Sequence, residues 1–105
     1  MRTRLTRTAR RDIEGIRKFT TARWGRDQWL SYYAGLLAAF DRIVVDPQAG
    51  RPRNAIHLGL RSLIVGQHTI FFSPVRRAGG AVVIVRILHQ KRNLDAMSFA
   101  DDLED

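Results

Sequence analysis

Residues 81–93 read AVVIVRILHQKRN, and the fold turns on what this stretch requires around it. Val82, Val83, Ile84, Val85, Ile87 and Leu88 are branched apolar side chains on both parities of a two-residue repeat, so a strand formed here must be covered on both faces, as an interior strand is. Arg86 interrupts the run. A guanidinium that never loses its charge sits on an inner strand only where it is paired or aimed at an edge or cleft. Strict alternation places Arg86 with Val82, Ile84 and Leu88, and Val83, Val85, Ile87 and His89 on the other side. After Leu88 come His89, Gln90, Lys91, Arg92 and Asn93, so donors and cations collect where the strand ends.

Upstream, GLRSLIV (59–65) and HTIFFS (68–73) are strand-like runs separated by Gly66-Gln67, which predicts a hairpin with a type II′ turn. PVRRAGG (74–80) predicts a second turn into the organising strand, making a three-stranded antiparallel meander. Residues 46–58, DPQAGRPRNAIHL, form a basic loop punctuated by Pro and Gly. Before it, Trp29, Tyr33, Leu36, Phe40 and Ile43 follow i, i+4, i+7, i+11 and i+14, with Leu30, Leu37 and Val44 widening the stripe. This helix stops at Asp46-Pro47. A preceding helix is expected from an N-cap at Thr8 through Ala9, Ile13, Ile16 and Phe19 or Thr20 to Arg23, with Asp12 in its first turn. Gly25 supplies a left-handed terminus and Asp27 caps the next helix. Arg2–Thr6 reads as a short edge strand. The order is β-α-α-β-β-β, and the architecture is a two-layer α+β domain, a helical hairpin packed on a small, mainly antiparallel sheet.

At 105 residues the chain holds one domain, read as residues 1–93 with a short acidic tail at 94–105. Nothing reads as a signal peptide or membrane span, so a cytoplasmic protein with no membrane contact is expected. There are no cysteines, which removes disulfides and Cys-type zinc sites, and His57, His68 and His89 lack HxxxH or HxH spacing, which leaves little support for a metal site. Residues 1–93 carry eighteen basic and five acidic side chains, a net of +13, whereas 94–105 carry five acidic and none basic, a net of −5. Such a body suits an anionic partner, nucleic acid or acidic protein; the plain alternative is a solvated, arginine-rich surface.

With the helical hairpin on one face, Arg86 is expected on the opposite, more open face, near Arg61 and His68, or directed toward a bordering loop. Arg61, His68, Arg86, His89, Gln90, Lys91, Arg92 and Asn93 then form a cationic patch. Two histidines and several arginines can supply acid, base and phosphate stabilisation for metal-free RNA cleavage. Alternatively His68 opens a strand and His89 closes one, each satisfying local backbone groups. No GxSxG elbow or phosphate-loop glycine motif occurs, so hydrolase and nucleotide-binding readings have no support.

The ordered set Arg23-Trp24-Gly25, Gln28, Tyr32 or Tyr33, Pro47, Gly50-Arg51, Gly59-Leu60-Arg61, Gly66, His68, Phe71-Phe72 and Val85-Arg86-Ile87-Leu88-His89-Gln90 resembles the ParE branch of the RelE/ParE toxin superfamily. The likeness spans roughly residues 5–93 and implies the same β-α-α-β-β-β arrangement. It also implies the toxin of a bacterial type II toxin-antitoxin pair that inhibits growth, stabilises plasmids and poisons DNA gyrase, with no cofactor and no catalytic residue. Gyrase and a ParD-like antitoxin are the implied partners, the latter in a hetero-oligomer, and DNA is reached only through them. RelE-like relatives cut messenger RNA on the ribosome; on that alternative Arg61, His68, Arg86 and His89 are catalytic. The last tyrosine here is Tyr33, and the strand is followed by Lys91, Arg92, Asn93 and acids, a departure from the cleaving branch.

The expected target-binding set is Arg61, Arg86, His89, Gln90, Lys91, Arg92 and Asn93. An acidic antitoxin segment is expected to fold along the helical hairpin and a sheet edge, touching Trp24, Trp29, Tyr33, Arg23 and Arg26. Residues 101–105 are a further candidate to fold back over the basic patch.

Overall fold

A computed structural model describes residues 3–76 and 81–90, with side chains for all of these except 74–76. Its elements are β1 (Thr3–Leu5), α1 (Arg7–Trp24), α2 (Arg26–Val45), β2 (Arg51–Pro52), β3 (Arg61–Val65), β4 (His68–Arg76) and β5 (Val82–His89). The sheet order is β1-β5-β4-β3-β2. β1 runs parallel to β5 and every other pairing is antiparallel. The two-layer α+β arrangement expected from periodicity is the one observed, with the two-residue edge strand β2 added.

The two helices cover one face of the sheet. Ile16, Trp29, Leu36, Phe40 and Ile43 meet Leu63, Ile70, Phe72, Val82, Ile84 and Ile87 there. The other face is closed as well, since Phe71, Val83, Val85 and Leu88 pack with Leu60 and Ile56 from the loop before β3. The open face expected for this side of β5 is therefore a second, smaller core. Of the residues expected to widen the α2 stripe, Val44 is buried while Leu30 and Leu37 are each 42% exposed, outside the face that α2 buries against the sheet. The Gly66-Gln67 hairpin holds: Val65 pairs with His68, Gly66 takes φ 56°, and Gln67 is not among the described residues with positive φ, all of which are glycines, as a type II′ turn requires. Of the turn expected at 74–80, residues 74–76 belong to β4, which pairs Arg76 with Val82, and residues 77–80 lie outside the described residues.

Both helix starts differ from expectation. α1 is capped by Thr6, not Thr8: Thr6 Oγ1 accepts the Ala9 N–H at 2.9 Å. Its first turn then ends before Asp12 and holds no acid. Gly25 both ends α1 and begins α2, with φ 95° and ψ 172°, outside the left-handed helical region; α2 has no side-chain cap, and Asp27 lies in its first turn.

The largest departure lies in β5. Phe71 pairs with Arg86 but Phe72 pairs with Ile84, so Val85 is the extra residue of a β-bulge. Alternation breaks there: Ile87 joins Ile84 in the core under the helices and Leu88 joins Val83 and Val85 opposite, while Arg86, expected on the face away from the helices, reaches Asp12 on α1. β1 has run out by this point, its last pair being Leu5 with Ile84. The exposed edge of β5 is taken over by α1 and its cap. Thr6 Oγ1 donates to the Val85 carbonyl at 2.7 Å, and the Asp12 carboxylate accepts the Ile87 N–H at 2.9 Å. Buried backbone groups need partners, and here two side chains replace a missing strand.

Candidate functional site

The α1 contacts that close the bulge also shape a groove of about 850 Å³ along α1, bordered by the start of α2, the β3–β4 turn and the end of β5. Ile16 and Ile87 make its apolar wall, the β5 strand at Leu88 and His89 borders it, and Arg11, Arg23 and Gln28 supply polar groups. Phe19 and Trp24, 61% and 60% exposed, stand in the same groove as an edge-to-face pair with centroids 5.9 Å apart. The Arg23 guanidinium lies 5.2 Å from the centre of the Trp24 ring, a cation–π contact that holds a cation beside an exposed aromatic.

A Tyr-His-His cluster lines the same groove. His68 and His89 are register partners across β4 and β5, with ring centroids 5.5 Å apart. Tyr32, from α2, places its hydroxyl 2.6 Å from His68 Nδ1, 2.9 Å from the Val65 carbonyl and 3.3 Å from the Gln67 N–H. One hydrogen-bond arrangement satisfies all three: Tyr32 O–H donates to Val65, and its oxygen accepts from Gln67 N–H and from a His68 carrying a proton on Nδ1. Burial, then the neighbouring His89, depress the His68 pKa against a smaller opposing pull from Asp12. Burial raises the Tyr32 pKa, opposed by the Gln67 and His68 backbone N–H groups.

The expected cationic patch does not come together as one site. Arg86 binds both oxygens of Asp12 on the helical side, with Nε–Oδ2 at 2.9 Å and Nη2–Oδ1 at 3.0 Å. Arg61 sits at the far end of β3 from the turn that carries His68, and donates to the Gln48, Ala49 and Gly50 carbonyls. Its work is to hold the loop before β2. His68 and His89 do meet. Gln90 is exposed and anchored to the hairpin, its Nε2 donating to Gly66 O at 2.8 Å and its N–H to Gln67 O at 3.0 Å. Lys91, Arg92 and Asn93, and the acidic tail with them, lie outside the described residues.

Of the residues expected to touch an antitoxin, Trp24, Arg23 and Arg26 are exposed. Trp29 is not: it is 7% exposed and stacks on half-buried Tyr33 at 5.1 Å, so its place is the core. Asp12, Phe19 and Tyr32 enter the groove without having been singled out for a site. Asp12 carried a signal, being one of five acids in a body of eighteen bases. Among the described residues no group of three or more His, Asp or Glu converges to hold a metal, and no helix is long and apolar enough to cross a membrane.

Comparison with known proteins places this geometry in company. The family model described as the ParE toxin of the type II toxin-antitoxin system parDE matches residues 3–94. A Toxin ParE1 of Caulobacter vibrioides is 34% identical over 93 residues, covering 89% of this chain and 93% of its own length. A Toxin ParE1 of Mycobacterium tuberculosis is 36% identical over 91 residues, covering 87% and 91%. A chain from a solved structure of the chromosomal ParDE system of P. aeruginosa superposes with a TM-score of 0.68 at 22% identity, over 85% of this chain and 95% of that one; this last likeness is one of fold.

Proposed function

The chain belongs to the ParE family of toxins of type II toxin-antitoxin systems, and from that premise we propose that it inhibits DNA gyrase by binding it, performs no chemistry of its own, and is neutralised by a ParD-like antitoxin. The observation that carries the non-catalytic reading is the engagement of its arginines. Acid-base catalysis on RNA needs its groups to converge on one reacting phosphate. Arg86 is clamped by Asp12, and Arg61 is spent on three main-chain carbonyls at the other end of β3. On this reading the target surface includes His89 and Gln90 and continues into Lys91, Arg92 and Asn93.

The antitoxin contributes an acidic segment with apolar anchors. Trp24, Phe19 and the exposed rim of Tyr33 offer the aromatic surface, and Arg23 and Arg26 pair with its carboxylates. Its charge favours rapid capture by a body of net +13.

The Tyr32-His68-His89 cluster favours one competing reading, ribosome-dependent cleavage of messenger RNA with the two histidines exchanging protons. A plasmid supercoiling assay with purified gyrase, with and without ATP, separates the two. The gyrase reading expects lost supercoiling together with protein-linked linear DNA. Unchanged supercoiling by a chain that still arrests growth overturns it. Transcript cleavage in translating ribosomes, abolished by His68→Ala and His89→Ala, then establishes the alternative.

A further inference from the structure

We propose that in the free chain the groove along α1 is occupied by the chain's own acidic C-terminal segment, residues 94–105. Leu88 and His89 line the groove, so the segment that follows Gln90 starts at its wall. Phe99 is nine residues beyond Gln90, a reach of about 30 Å when extended. The part of α1 from Arg11 to Trp24 is about 20 Å long, so the segment can cover it.

The chemistry matches on both sides. The segment reads LDAMSFADDLED, with apolar Leu94, Met97, Phe99 and Leu103 among five carboxylates and no cation. The groove offers exposed Phe19 and Trp24 beside Arg11 and Arg23. Its acid, Asp12, already has both oxygens bound by Arg86, so an incoming carboxylate meets arginines rather than an unpaired negative charge. Two adjacent exposed aromatics favour being covered, and a tethered segment is present at high effective concentration. Docking stands on the groove and the segment alone. One consequence rests on the function proposed above: an antitoxin peptide of the same acidic and apolar character must displace the segment.

Acrylamide quenching of tryptophan fluorescence in the full chain tests this. The protein has two tryptophans; Trp29 is buried, so the quenchable emission is that of Trp24. Two full-length variants are compared with the native chain at low salt: one carrying Asp101→Asn, Asp102→Asn, Glu104→Gln and Asp105→Asn, the other Phe99→Ala. Docking predicts that each raises the quenching constant about twofold as the indole is uncovered, and that 1 M salt does so in the native chain but not in the neutralised one. Equal quenching in all three chains overturns the proposal. Protection of Trp24 that fades on dilution also overturns it, and assigns the groove to a second copy. If the segment protects Trp24 but a synthetic acidic antitoxin peptide binds native and neutralised chains equally, docking stands and the competition is rejected.

Discussion

Asp12 on α1 and Arg86 on β5 form a two-pronged ion pair, and the same carboxylate accepts the Ile87 N–H just beyond the β5 bulge. The side chains are only 13% and 12% exposed. Removing one partner leaves a largely desolvated charge, which costs about 3–5 kcal/mol when burial is complete. Asp12→Ala also orphans the Ile87 N–H, so a loss of about 2–4 kcal/mol is expected in urea denaturation. Replacing both partners, Asp12→Leu with Arg86→Met, should recover part of that loss, since the uncompensated charge disappears. A double substitution as unstable as the sum of the singles would show the two side chains to act independently.

Thr6 carries a second link at the same place. Its hydroxyl is 1% exposed by residue, donates to the Val85 carbonyl and accepts the Ala9 N–H. Thr6→Ala removes a helix cap and strands a bulge carbonyl, for an expected cost of about 1–2 kcal/mol. Thr6→Ser keeps both bonds and should restore most of the stability. Thr6→Val keeps the shape without the hydroxyl, so Val and Ala variants of equal stability, both well below Ser, would assign the effect to hydrogen bonding. Thermal melts of the four chains decide it.

His68 makes stability depend on pH. Its folded pKa lies below the unfolded value, chiefly through burial and then through His89. The unfolded chain therefore binds the proton more readily, and by linkage stability rises with pH across this titration. Acidification from pH 7.5 through the ordinary histidine range near 6.5 should lower the melting temperature, the loss levelling off once pH falls below the depressed folded pKa. His68→Gln should flatten this slope, and an unchanged slope in that variant would remove His68 from the account. Protonation also adds a cation beside His89 at the groove, so the same pH range should reshape its surface charge.

The helices, the Gly66-Gln67 hairpin and the order of the strands were legible because each is set by local spacing: Trp29 to Ile43 at helical period, Gly66 at a tight turn, Pro47 past a helix end. The bulge was not, because the groups that stabilise it, Thr6 and Asp12, lie 79 and 75 residues from their backbone partners in β5. A one-residue insertion reverses facing for everything after it, so Ile87 and Leu88 change places relative to strict alternation, whereas the misplacement of Arg86 came from setting the Val82 and Ile84 face away from the helices, and Arg61 was grouped with residues at the other end of the sheet. Two-residue β2 left no periodic trace. Tyr32 was visible as a family likeness and not as a site residue, since its role depends on a turn that folds back from Val65 to His68.

Trp24 and Trp29 share the expectation of an antitoxin contact, although Trp29 alone heads the apolar stripe of α2, and the structure separates them. Trp29 is 7% exposed, stacked on Tyr33 and packed in the core under the helices. Trp29→Ala should therefore cost about 3–5 kcal/mol of folding stability, and any loss of antitoxin binding should track the fraction unfolded. Trp24 is 60% exposed, with Phe19 at its edge and Arg23 over its face. Trp24→Ala should leave the melting temperature within a degree or two, since an exposed side chain contributes little to folding. If Trp24 anchors the antitoxin, it should weaken the complex by about 2 kcal/mol or more, as central aromatic anchors do. Calorimetric titration with an acidic antitoxin peptide, run beside thermal melts, measures both quantities on each variant. Undiminished affinity in a folded Trp24→Ala chain would move the antitoxin away from this groove, toward the Arg26 side of α2.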